Sequence, residues 1–261
     1  MSYIKLFIAT YIILFLSISI WMKIYSYGCM ENLFGLFFLI IIASSFIDIK
    51  VANRVCIKEC YFKDSSIFAK ILSSKLFTSL FYIVASILMT ISMLYSILGF
   101  DKMLWFYVAV HILLSVVLFL YFKDLLKKSI KKPYQSIFSR EIVIKIMAAL
   151  FVLFYIYYSL ESFEPEFLKS TLQETLKSAT NSIDSKCLIT DKLFRFQKEI
   201  ESISWWFVDK NTEQIEEKSY KIAIWLIFIF INSFAILGFN RFIVQTIYLI
   251  DKIFNIGTKD E

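Results

Sequence analysis

Residues 6–22 and 76–98 contain no charged side chain at all. An α-helix rises about 1.5 Å per residue, so about 20 apolar residues in a row are what crossing the hydrocarbon of a bilayer requires. Inside that hydrocarbon every backbone N–H and C=O must be bonded within its own segment, so runs of this kind form helices. The chain is therefore read as all-α, a polytopic membrane helix bundle. Hydrophobic residues make up 59% of the 261 positions, concentrated in long runs. About six spans are expected, at 6–25, 33–48, 76–98, 103–122, 142–160 and 221–239. Residues 242–256 are apolar but carry Asp251 and Lys252. They are too short for a seventh crossing and are expected at the inner interface or as a continuation of the sixth helix.

Basic residues give the bundle a direction. The segment 49–75 carries Lys50, Arg54, Lys58, Lys63, Lys70 and Lys75, and 123–141 carries Lys123, Lys127, Lys128, Lys131, Lys132 and Arg140. Residues 26–32 carry none and 99–102 only Lys102. Cytoplasmic loops are the basic ones. Both termini are thus expected in the cytoplasm, 161–220 on the outer side, and the whole in the inner (plasma) membrane as a multi-pass protein. The net charge of +6 accordingly reads as topology and not as a nucleic-acid footprint. Trp21, Trp105, Trp205, Trp206 and Trp225 all fall near the outer boundary in this arrangement, where amphipathic indoles are favoured. The first span has only Lys5 before it and a long apolar stretch, and is expected to stay as an uncleaved anchor.

Three regions follow: 1–160, five spans of the bundle; 161–220, an extracytoplasmic excursion; and 221–261, the last span with a cytoplasmic interfacial tail. The excursion holds twelve acidic and eight basic residues between Glu161 and Lys218. After Pro165, apolar residues recur at Leu168, Leu172, Leu176, Ala179 and Ile183, one face of a helix. A turn at 184–187 leads to Ile189, Leu193, Phe196, Ile200, Ile203 and Phe207, a near-heptad seam. Two such arms form an antiparallel helical hairpin, and their seams are expected to bury against each other.

Few residues suggest chemistry. His111, the single histidine, lies near the middle of the fourth span, where an ionisable group usually marks a pathway or relay. It lacks an acidic partner at its depth, so a neutral imidazole bonded to a neighbouring helix is expected, with Asn232 as one partner. Cys29 and Cys187 share the outer side and are candidates for a disulfide. Cys56 and Cys60 lack companion histidines for a closed zinc site and are read as free thiols. No phosphate-binding loop, dinucleotide fingerprint, zinc-protease motif or serine-hydrolase elbow occurs. No catalytic, metal or cofactor-binding residue is expected, and the chain is not read as an enzyme. Neither Pro133 nor Pro165 interrupts a span, Gly99 and Gly238 fall at span ends, and the spans as drawn hold no buried carboxylate or basic pair. That speaks against secondary transport.

The expected function is that of a non-enzymatic membrane protein whose hairpin, through Leu168, Leu172, Leu176, Ile189, Leu193, Phe196, Ile200, Ile203 and Phe207, meets a protein partner or a second copy of the chain. Toxin-immunity, phage-exclusion and channel-forming defence proteins have this character. The alternative is the membrane permease subunit of an exporter. Six spans, cytoplasmic termini, a basic loop between spans two and three and an outer insertion before the last span together resemble the ABC-2 permease pattern. That resemblance implies that residues 65–75 meet an ATPase subunit.

Overall fold

The computed structural model describes residues 3–25, 27–61, 75–161, 165–214 and 218–256. Among these the chain is all-helical. Helix α1 is Tyr3–Ile24, α2 Glu31–Tyr61, α3 Lys75–Leu98, α4 Lys102–Leu125, α5 Lys132–Glu161, α6 Leu172–Thr180, α7 Leu188–Gln214 and α8 Lys218–Ile256. A short 3-10 turn, Leu126–Lys128, follows α4. Among the described residues four stretches are long and apolar enough to cross a membrane: Ile4–Ile24, Ser79–Leu98, Lys102–Lys128 and Ser233–Ile253. The apolar part of α2, Glu31–Ile47, is shorter. Such helices mark a membrane protein.

The central element is α8, which packs against α1, α2, α3, α4, α5 and α7. Its 39 residues form one continuous helix, so 242–256 continues the last helix. Among the described side chains a span-length apolar window lies at Ser233–Ile253; the side chains of 221–232 lie outside the described residues. Phe242, Ile243, Val244 and Ile247 are fully buried there. Asn240, Arg241, Gln245 and Asp251 are buried there as well.

Gly238 is where α3 and α8 come closest. A Cβ built on it would lie 2.6 Å from the backbone oxygen of Met89. It sits within the continuous helix Lys218–Ile256. Asp101 caps α4, its carboxylate accepting from Leu104 N–H at 2.8 Å. Its other oxygen accepts from Tyr158 Oη at 3.0 Å and so holds the end of α5.

The excursion differs from a simple hairpin. Its first arm is only the nine residues of α6, capped by Thr171, whose side chain accepts from Glu174 N–H. Residues 165–171 are not helical. Thr175 Oγ1 instead accepts from Lys169 N–H at 2.9 Å and folds this strap against α6. Helix α7 lies across one end of the bundle. Along its length it meets Asn32 at the start of α2, Trp21 and Tyr25 at the end of α1, and Tyr95 near the end of α3. Trp205 and Val208 then reach Tyr155 of α5 together with Phe167 and Leu168.

Candidate functional site

The faces of α7 decide what it can do. Phe194, Ser202, Trp205 and Val208 are buried toward the bundle. The seam read from the sequence points elsewhere: Ile189 is 62% exposed, Leu193 40%, Phe196 61%, Ile203 45% and Phe207 48%. Ile200 is half-buried, as are Leu168, Leu172 and Leu176. At about 100° per residue the seam centres on the side of α7 nearly opposite Phe194 and Ser202. The expectation that the two arms bury their seams against each other is therefore corrected. Helix α6 is too short to cover a helix of 27 residues, and the bundle accepts a different, more polar face.

That polar face follows from what lies beneath it. Tyr95 Oη donates to Glu201, and Lys198 Nζ bonds the same carboxylate at 3.1 Å. Thr190 Oγ1 donates to Asn32 Oδ1 at 3.3 Å. Trp21 is buried against Phe194 with ring centroids 6.3 Å apart, so it serves as floor for α7. The side chain of Trp225 lies outside the described residues. Arg195 ties the turn before α7 to its first turns, bonding Asp191 at 2.7 Å and donating to the carbonyls of Thr180 and Ile183.

Cys29 and Cys187 form a disulfide, joining chain positions 158 residues apart. It fixes the start of α7 to the turn between α1 and α2. Asn32 Nδ2 lies 3.4 Å from Cys187 Sγ beside it. Reducing the purified protein is expected to slow its migration on a denaturing gel, and Cys187→Ser is expected to migrate at the reduced position in both lanes. Cys56 and Cys60 have side chains outside the described residues. Among the described residues no group of three or more His, Cys, Asp or Glu gathers as for a metal ion.

A second constellation gathers along α8. His111 is buried against Tyr107 and Phe151. Its Nε2 lies 2.8 Å from Oδ1 of Asn240, whose Nδ2 donates to the Ile236 carbonyl. With the amide oriented this way the imidazole donates from Nε2, a tautomer inferred from the network. The partner is thus Asn240, two turns beyond Asn232, whose own side chain lies outside the described residues.

One residue further along, Arg241 stacks over Phe46 at 3.5 Å and donates to Ser45 Oγ at 3.2 Å. The fully buried Arg140 donates from Nη1 to Gln245 Oε1 at 2.8 Å and from Nη2 to the Ser45 carbonyl at 3.0 Å. Gln245 Nε2 donates in turn to Ser44 Oγ at 2.9 Å. Both guanidiniums approach Glu141, at 3.5 and 3.6 Å. Near the far end, Lys123 pairs with Asp251 at 2.6 Å.

These charged residues lie just beyond the expected spans 103–122, 142–160 and 221–239, where the helices continue past them. The available signal was spacing: Arg241, Gln245 and Tyr248 recur on one face of α8 at intervals of four and three. No protein-family model, no curated protein and no solved structure matches this chain.

Proposed function

We propose that the chain is a six-span inner-membrane protein with both termini in the cytoplasm, and that α7 displays an apolar seam to a protein partner on the outer side. The observation that carries this reading is the exposure of Ile189, Phe196, Ile203 and Phe207 on a helix whose opposite face is packed. Contiguous exposed apolar side chains on the aqueous end of a bundle mark interaction surfaces. A seam at heptad spacing suits a helix from the partner. The bundle then acts as an anchor. A reporter fused after Lys132 is expected in the cytoplasm and one inserted near Ser185 on the outer side; the opposite pattern inverts the topology.

A photo-crosslinking amino acid at 196 or 203 is expected to give one discrete protein adduct in intact cells. The same group at Lys177, exposed on α6, gives none. Ile189→Asp abolishes the adduct, while stability stays within about 0.5 kcal/mol because the site is on the surface. Adducts to lipid alone, or the same bands from 177, would end this reading.

A second reading, the permease subunit of an exporter resembling the ABC-2 pattern, draws on the buried Arg140, Glu141 and Arg241. Bundles retain ionisable groups at depth mainly along substrate or coupling routes. Residues 65–74 of the segment that would meet an ATPase lie outside the described residues. Co-purification of an ATPase with the tagged chain would favour it, and a neighbouring gene for a secreted toxin would favour the anchor.

A further inference from the structure

Beneath α7 lies a partly open cavity of about 430 Å³. Its lower walls are apolar, formed by Met93, Phe100, Phe151 and Phe239. Its roof is Lys198 and Glu201, with the phenol of Tyr95 beside them. This is the division of a small-molecule site, whose volumes run from about 300 to 1,000 Å³ with a few polar groups set in an apolar lining.

The roof also limits the charge of what fits beneath it. Glu201 receives the Lys198 ammonium at 3.1 Å and the Tyr95 hydroxyl, and the ammonium lies over the Phe167 ring at 4.3 Å. The pair is compensated internally. A carboxylate or phosphate head would have to take Lys198 from Glu201, and an ammonium head would have to take Glu201 from Lys198. Either exchange breaks the ion pair of two half-buried side chains and leaves one of them less well paired, a cost that a neutral head avoids. A hydroxyl, carbonyl or amide head bonds to the pair without separating it.

We propose that this cavity binds a neutral single-chain or single-ring amphiphile, its apolar part between Met93, Phe151 and Phe239 and its uncharged head under Lys198 and Glu201. The inference is independent of whether the seam of α7 holds a partner, since it uses the opposite face of the helix.

The test uses the full chain, oxidised, in phosphatidylcholine nanodiscs. Three twelve-carbon probes share one chain-borne diazirine and differ only in head: an alcohol, a carboxylate and a quaternary ammonium. After illumination, the alcohol is expected to label Met93, Phe151 or Phe239 at least about tenfold more than either charged probe, a ratio equal to 1.4 kcal/mol of binding. Ala235→Trp fills the cavity and is expected to remove that labelling. Glu201→Gln shifts preference to the carboxylate and Lys198→Met to the ammonium, each checked for an unchanged melting midpoint. Equal labelling by all three heads in the unaltered chain overturns the proposal. So does labelling confined to outward-facing residues of α3 such as Leu80 and Leu88.

Discussion

Arg140→Leu is expected to destabilise the bundle by about 3–5 kcal/mol, the usual cost of removing one partner from a buried charged network. The guanidinium is fully buried and touches three elements at once: Gln245 on α8, the Ser45 carbonyl on α2 and Glu141 on its own helix. Leucine leaves the amide oxygen of Gln245 without this donor and Glu141 with Arg241 alone of the two guanidiniums. The measurement is the unfolding midpoint of the purified protein in detergent, with Lys192→Ala, an exposed position on α7, as the control. Arg140→Leu combined with Gln245→Leu should recover part of the loss, because matched apolar replacement of a buried polar pair is often tolerated. If the single variant unfolds no earlier than the control, the network holds nothing together.

Gly238 gives the second large effect, and with an unusual sign. In a helix interior, alanine is ordinarily better than glycine by about 1 kcal/mol. Gly35→Ala should show that gain, since its Cβ would meet nothing nearer than Leu94 Cδ1 at 3.9 Å. Gly238→Ala should instead cost about 1–3 kcal/mol through overpacking. The new carbon would lie 2.6 Å from the Met89 carbonyl oxygen and 3.1 Å from its carbon. Because those atoms are backbone, shortening the side chain at 89 cannot relieve the clash; α3 and α8 must move apart. Gly238→Leu is expected to abolish folding, read as loss of monodisperse protein on extraction.

Much of this architecture was legible. Runs such as 76–98 permit little but a helix, and the spacing of the seam correctly marked a continuous helix over 189–207. What the spacing could not tell was which face the bundle would take. Hydropathy assigns the core to Ile189, Leu193 and Phe196, yet the surface awaiting α7 presents Asn32 and Tyr95, and so selects Thr190, Lys198 and Glu201. The buried charges escaped for a related reason. Arg140 and Gln245 are each unfavourable in a window average, and only their pairing across 105 residues makes them compatible with the interior. Likewise His111 suggested a neighbouring amide, but choosing Asn240 requires knowing how α4 and α8 are set along each other.

The Cys29–Cys187 bond also has a consequence in time. A ribosome finishes the first of these thiols 158 residues before the second, with four proposed spans between them. If both lie outside, Cys29 must cross early and remain reduced while that stretch is made and inserted. The bond therefore closes late in biogenesis, when α7 has reached the bundle end. An oxidant that captured Cys29 sooner would leave a chain whose spans are in place but whose outer helix is unmoored.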